Sequence, residues 1–254
     1  MTPLRIAIIL LLPVIQTVLL ILGISFQHSF FYSIVGGFIV SDVLLALFFK
    51  KSISRSHILW FALPSLLLYG GSASALFVLE ESYLIKSILI AHLFLQWLYF
   101  INLYYHLYRN QKYQERSFWN ISLSVHIVSF FNFAIALYGL VYFVDYSLFL
   151  LIIPFGAICA IAYAQQLVVH KMDVVKHWIF CSIQSFILIE CALVINLLPS
   201  PYLTKAFLLS IPFFIVSKLG YSSLRKELHS RAVLFTVLLA EGVLLLVILT
   251  TRWR

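Results

Sequence analysis

Seven polar side chains lie deep within long apolar segments of this sequence, where they could act on an ion or a solute. They are Gln16, Asp42, His92, Gln96, Asn132, Glu190 and Glu241. They come from six different segments. Each lies about 8 to about 12 residues from the same side of the predicted bundle, which at 1.5 Å per helical residue gives a layer roughly 6 Å thick.

The three carboxyls in this layer, Asp42, Glu190 and Glu241, have no Lys or Arg at their depth to neutralise them. An unpaired carboxylate is disfavoured in an apolar medium, so each must be protonated or matched by a bound cation, by water or by a protonated His92. Groups in this situation are used to move protons or cations across membranes. A purely structural role is the alternative, in which each neutral carboxyl holds neighbouring helices together by a hydrogen bond.

Polar residues also recur at helical spacing along two consecutive segments. The first set is His92, Gln96, Tyr99 and His106, with Asn102 beside it, and the second is Ser122, His126, Ser129 and Asn132. Each set marks one face of a helix. A short loop joins the two segments, so the faces could meet, with Gln96 and Asn132 at matching depth. Such a seam would be either a path for water or protons or a hydrogen-bonded packing contact.

The composition identifies the elements that must position these groups. The chain has 254 residues, of which 63% are hydrophobic and 10% charged, which excludes a soluble domain of ordinary composition. We therefore predict an all-α, polytopic transmembrane bundle that forms one domain over residues 1–254, with no soluble domain. The predicted spans are 5–25, 30–49, 57–78, 84–107, 118–143, 147–168, 177–198, 203–219 and 231–251. The span at 203–219 is the shortest, and a model with eight spans would omit it.

Basic residues divide unequally between the two sets of loops. One set, together with the amino terminus, carries Arg5, Lys50, Lys51, Arg55, Arg109, Lys112, Arg116, Lys171, Lys176, Lys218, Arg225, Lys226 and Arg231; the other carries only Lys86, Lys205, Arg252 and Arg254. This bias predicts a cytoplasmic amino terminus. The net charge of +8 is explained by orientation and by attraction to anionic lipids, so no nucleic-acid partner is expected.

Two shorter patterns have a structural interpretation. The run Gly70-Gly71-Ser72-Ala73-Ser74-Ala75 would let helix backbones approach closely. The predicted outer turns contain two similar pentapeptides 119 residues apart, Tyr83-Leu84-Ile85-Lys86-Ser87 and Tyr202-Leu203-Thr204-Lys205-Ala206. Duplication of a two-hairpin unit or chance similarity would each explain this pair.

Two fragments carry a resemblance to a known family. Ser41-Asp42-Val43-Leu44-Leu45-Ala46-Leu47-Phe48 resembles the Ser-Asp motif of the lysoplasmalogenase-like membrane hydrolases, and Ala91-His92-Leu93-Phe94 with Tyr99-Phe100 resembles their Ala-His-Leu segment. The resemblance implies about eight spans and an intramembrane hydrolase acting on a lipid-derived ether. In that alternative, Asp42 and His92 would act as acid and base.

The leading hypothesis is an integral inner-membrane transporter or channel-like protein, in a bacterium, for a small cation or a cation- or proton-coupled solute. Its pathway would contain the seven polar residues of the layer, with the amides as neutral ligands. Membrane lipids are the expected partners, and a protein partner or a homo-oligomer is possible. A third hypothesis is an accessory or sensor subunit.

No metal or cofactor is predicted. The cysteines are not spaced for zinc or disulfides, and no Lys lies at mid-span for a retinal Schiff base. His92 and His106 lack a second pair of histidines at their depths to bind haem.

Overall fold

A computed structural model describes residues 3–26, 30–49, 55–108, 115–224 and 230–250 of the chain. Within these residues the chain forms nine α-helices and no strand. They are α1 (Pro3–Ser25), α2 (Phe30–Phe49), α3 (Arg55–Val78), α4 (Ser82–Tyr108), α5 (Glu115–Phe143), α6 (Leu148–Val169), α7 (Trp178–Asn196), α8 (Tyr202–Leu224) and α9 (Ser230–Thr250). The predicted all-α bundle is confirmed.

Eight of these helices, α1 to α8, are long and apolar enough to cross a membrane. The protein is therefore an integral membrane protein. The helix expected to be the shortest, α8, has 23 residues and qualifies as a span despite Pro212. An eight-span arrangement that omits this helix is therefore not supported, since α8 is longer than α2 and α7.

Helix α5 is at the centre of the bundle, where it packs against α3, α4, α6 and α8. Its closest neighbour is α3, because the small residues predicted to permit close approach lie between them. A methyl group on Gly71 would come within 2.7 Å of the carbonyl oxygen of Ser129. On another side of α5, Phe130 stacks on Phe213 of α8 with ring centroids 4.3 Å apart.

Three helices have large surfaces that no other helix of the chain covers. Helix α2 packs mainly on α1 and α3, α7 packs on α6 and α8, and α9 packs on α8. The three cysteines are free thiols in α6 and α7. We call the end of the bundle at which α3, α5, α7 and α9 begin the basic end, because the loops predicted to be basic connect helices there.

Several residues on which the orientation argument depends lie outside the described residues. They are Lys50, Lys51, Arg109, Lys112, Arg225, Lys226, Arg252 and Arg254.

Candidate functional site

The structure separates the seven predicted site residues into two groups. The four neutral residues, Gln16, His92, Gln96 and Asn132, are almost completely buried, with at most 2% of their surface exposed. The three carboxyls, on α2, α7 and α9, all lie on exposed faces of the bundle. The structure thus does not bring the carboxyls together with the neutral residues, nor does it place the three on one shared interface.

Adjacent residues of α2 show how this separation arises. Ser41 is fully buried and Asp42 is exposed, because consecutive residues of a helix point about 100° apart. Ile39 and Val43, beside Asp42, are 58% and 55% exposed. Asp42 therefore lies on an apolar outer face, whereas Ser41 points into the bundle.

His92 lies at the centre of a hydrogen-bonded chain that joins three helices. Its Nδ1 is 3.2 Å from Oγ of Ser72 in α3, and Nδ2 of Asn132 in α5 donates to the same hydroxyl oxygen, also at 3.2 Å. All three side chains are buried. Nε2 of His92 is buried and has no hydrogen-bond partner among the described residues.

Gln16 extends the buried polar groups to α1 and α2. Its Nε2 donates to Oγ of Ser41 over 2.8 Å, and Ser41 in turn donates to the carbonyl oxygen of Gly37. The side chain of Tyr69 packs directly against Gly37 and lies 6.0 Å, centroid to centroid, from the ring of His92. Tyr69 thus connects the Gln16 group with the His92 group.

Gln96 lies one helical turn from His92 on α4. Its Nε2 donates to the backbone carbonyl of Ser65 in α3 over 2.9 Å. Because that partner is an acceptor, the amide orientation is fixed, and Oε1 is left buried without a donor in the described structure.

A second group of bonds lies nearer the basic end, where α3, α5 and α6 meet. Nε2 of His126 is 2.6 Å from Oε1 of Gln165, whose Nε2 donates to the carbonyl of Trp60 over 3.2 Å. Since Gln165 uses its amino group on Trp60, its Oε1 must accept, and His126 must donate from Nε2. The hydroxyl of Ser122 donates to Oε1 of Gln165 over 3.4 Å and accepts from Nε2 of Gln166 over 3.2 Å, which completes the group.

These bonds form what we call the polar seam: the buried polar side chains that α1 to α6 direct between one another. Its members are Gln16, Ser41, Ser65, Ser72, His92, Gln96, Ser122, His126, Ser129, Asn132, Gln165 and Gln166.

Five buried atoms of the seam have no hydrogen-bond partner among the described residues. Two of them, Oγ of Ser65 and Nε2 of His92, can donate or accept, and the other three are acceptors. Oε1 of Gln16 is one, because Ser41 donates to Gly37 and must therefore accept from the amino group of Gln16. Oε1 of Gln96 is another, and Nδ1 of His126 is the third, because its Nε2 carries the proton. The seam thus holds three unpartnered acceptors beside two groups that can donate.

The structure changes the predicted alignment of the two polar stripes. Asn132 is linked to His92 through Ser72, whereas Gln96 bonds to α3 at Ser65. Helix α3 thus mediates contacts that were expected to be direct between α4 and α5. At the far end of the α4 stripe, His106 stacks on Phe118 with centroids 4.5 Å apart, away from these bonds.

Sequence reasoning missed two residues that complete the seam, Gln165 and Gln166. Both are buried, with at most 2% of their surface exposed. Their sequence signal was a pair of amides inside an apolar run, which is costly in lipid unless both find partners.

Two further findings bear on the chemistry of the site. Within the described ranges, no group of three or more His, Cys, Asp and Glu side chains is placed to hold a metal ion. Comparison of the chain with family models, curated proteins and solved structures finds no match.

Proposed function

We propose that the protein is a transporter or channel-like protein of a bacterial inner membrane for a small cation or a solute coupled to a cation or proton. We further propose that its pathway follows the polar seam rather than the three carboxyls. The observation that carries this proposal is the presence of three unpartnered, buried acceptor atoms in the seam.

An unpartnered acceptor in the interior costs about 1–3 kcal/mol, so several in one seam favour an occupant that donates hydrogen bonds or carries positive charge. Oε1 of Gln16, Oε1 of Gln96 and Nδ1 of His126 meet this description. Water, a proton on water, an ammonium group or a bare cation would supply what they lack. An anion would not, because it brings further acceptors.

A cavity at the basic end lies beside the seam. It measures about 690 Å³ and is lined by residues of α3, α4 and α6 and of the α6–α7 connection, including Trp60, His106 and Asp173. The backbone carbonyl of Trp60 accepts the hydrogen bond from Gln165, so a lining residue is also a member of the network.

The proposal is tested by ion flux into liposomes that contain the purified protein, with proton uptake and sodium uptake as the two probes. We expect Gln96→Leu to lower the rate for the transported ion about tenfold or more, because removing one hydrogen bond to a charged group costs about 1.5–3 kcal/mol. The apolar replacement is one atom shorter than Gln and removes both its acceptor and its donor to Ser65.

Gln184→Leu is the matched control. Gln184 is also buried, donates from Nε2 to a backbone carbonyl of the next helix, Val216 at 3.1 Å, and has an unpartnered Oε1, but it lies between α7 and α8, outside the seam. This variant should retain the wild-type rate. Absence of flux of either ion in the wild type, or equal loss in both variants, would contradict the proposal.

A second candidate function, a subunit of a larger membrane assembly, is favoured by the exposed carboxyls. Asp42, Glu190 and Glu241 lie on apolar faces, where a partner would shield them from lipid better than the chain itself does. Native mass spectrometry after mild solubilisation tests this candidate. A second chain that is lost in the Asp42→Leu or Glu190→Leu variant would support it, and a monomer for every variant would oppose it.

No described contact brings Asp42 and His92 together. The hydrogen-bond partner of His92 is Ser72, and Asp42 lies on an exposed face. The hydrolase alternative therefore has no geometric support, and we do not propose it.

A further inference from the structure

A small pocket lies at the end of the bundle opposite the basic end, where the α7–α8 turn meets α5. Its volume is about 190 Å³, enough for one phosphate or carboxylate group. The polar residues that line it are Tyr138, Tyr142, Asn196, Ser200, Tyr202 and Lys205. No Asp or Glu is among the lining residues, although both occur in other turns at this end.

Lys205 supplies the positive charge of the pocket. It is partly buried, and its Nζ donates to the backbone carbonyl of Asn196 over 2.8 Å. This bond holds the ammonium group in place while using one of its three N–H donors. No carboxylate pairs with it among the residues that the structure describes.

Other groups around the pocket also favour an anion. Oγ of Ser200 is buried and has no hydrogen-bond partner in the described part of the chain, so its proton is available. The side-chain amide of Asn196 and the hydroxyl of Tyr142 can each donate as well. Helix α8 begins at Tyr202, so the positive end of its dipole lies at the same place.

Two acidic residues lie nearby and oppose an anion. Glu80 and Glu81 interact electrostatically with Tyr202. Both are exposed and neither lines the pocket, so solvent and salt screen them more than the partly buried Lys205. We therefore expect them to weaken binding of an anion without preventing it.

The two similar pentapeptides of the sequence differ in whether their Tyr and Lys side chains line a pocket. In the first, at the start of α4, Tyr83 is 63% exposed and Lys86 is exposed on the helix surface. In the second, at the start of α8, Tyr202 and Lys205 are both partly buried and line the pocket. The same residues are thus built into a cavity at only one of the two places, which makes Lys86 a natural control for Lys205.

We propose that this pocket binds one small oxyanion, a phosphate or carboxylate group, held by Lys205 and Ser200. The group could belong to a free ion or to the headgroup of a lipid in the adjacent leaflet, since both present the same chemistry. The inference is independent of the proposed transport function, because no residue of the polar seam contributes to the pocket.

The first arm of the test uses inorganic phosphate. Its effect on the thermal unfolding temperature of the full chain in neutral detergent would be compared between wild type, Lys205→Met and Lys86→Met. We expect phosphate to raise the unfolding temperature of the wild type and of Lys86→Met equally. For Lys205→Met, the phosphate concentration that gives the same rise should be about tenfold higher, as expected for the loss of a charged hydrogen bond. Should Lys205→Met fail to fold, Ser200→Ala should show the same change to a smaller degree.

The second arm uses lipid vesicles of phosphatidylglycerol and phosphatidylcholine, from which the protein is extracted for native mass spectrometry. Wild type and Lys86→Met should retain one more phosphatidylglycerol molecule than Lys205→Met. An effect of Lys205→Met in the first arm alone identifies a free anion, and an effect in the second alone identifies a lipid headgroup. If Lys205→Met and Ser200→Ala behave like the wild type in both arms, the proposal is wrong.

Discussion

The polar seam and the three carboxyl-bearing faces lie at similar predicted depth in the membrane but differ in direction. Gln16, His92 and Gln96 point into the bundle and bond to neighbouring helices, whereas Glu190 and Glu241 point out from it. The groups that carry charge are outside, and the groups that cannot ionise, together with two histidines, are inside.

This difference shows what each region requires of its surroundings. The seam leaves three buried acceptors without a donor, and the partner proposed for them is a small donor or cation that fits between helices. The outer carboxyls have no such enclosure. Their missing partner is either a proton or another protein chain, because lipid cannot solvate a carboxylate.

Adding one methyl group to a glycine should distinguish the two regions most strongly, because the same change costs stability between packed helices and little on the outer faces. Gly71→Ala places the methyl within 2.7 Å of the Ser129 carbonyl, a backbone atom that cannot turn aside, so α3 and α5 must separate. We expect a loss of about 2 kcal/mol or more, in the range for overpacked cores. Thermal unfolding of the purified protein measures it.

The glycines near the carboxyls provide the control. A methyl group on Gly36 of α2, or on Gly242 next to Glu241, would meet nothing within 4 Å. Gly36→Ala and Gly242→Ala should therefore be neutral or slightly stabilising, since Ala favours helix. A similar loss of stability in all three variants would show that the outer faces are packed, and the comparison would fail.

A smaller loss is expected from opening the network of the seam at one bond. Gln165→Leu removes the acceptor that His126 and Ser122 share and the donor to Trp60, so three groups lose this partner. Each buried group left without a partner costs about 1–3 kcal/mol. Because the surrounding structure relaxes in part, we expect the free energy of unfolding to fall by about 2 kcal/mol in total. Chemical unfolding in mild detergent measures the change, and a neutral result would show that water already satisfies these groups.

The smallest effect is expected on the outer faces. Asp42→Asn, Glu190→Gln and Glu241→Gln keep the size of each side chain and remove only its capacity to ionise. We expect each to change the free energy of unfolding by about 0.5 kcal/mol or less, as for exposed positions in general. A larger loss at any one of them, in the same unfolding experiment, would identify a contact that the chain makes with a partner.

The sequence predicted the elements well because membrane spans are encoded by length and apolarity. The predicted span 30–49 coincides with Phe30–Phe49, and the largest difference is at the end of α8, which continues past the predicted residue 219 to Leu224. Depth in the membrane stays a prediction, made by converting position along a span into height.

The face of each helix that points into the bundle could be predicted less accurately than the helix bounds. A span such as α2 is apolar on nearly all sides, so its periodicity does not distinguish the face toward lipid from the face toward protein. For Ser41 and Asp42, polarity alone suggested that both point inward. The structure separates them because Ser41 finds Gln16 as a partner across the α1–α2 contact, and one helix cannot present both residues to it.

Ion flux in a variant without the outer carboxyls tests the central claim most directly. The triple variant Asp42→Asn, Glu190→Gln, Glu241→Gln would be reconstituted in liposomes beside the wild type and Gln96→Leu, and uptake of protons and sodium measured. If the pathway follows the seam, the triple variant transports within about twofold of the wild type, a difference below 0.5 kcal/mol, and Gln96→Leu does not. Loss of flux in the triple variant with normal flux in Gln96→Leu would contradict the account and return the pathway to the carboxyls.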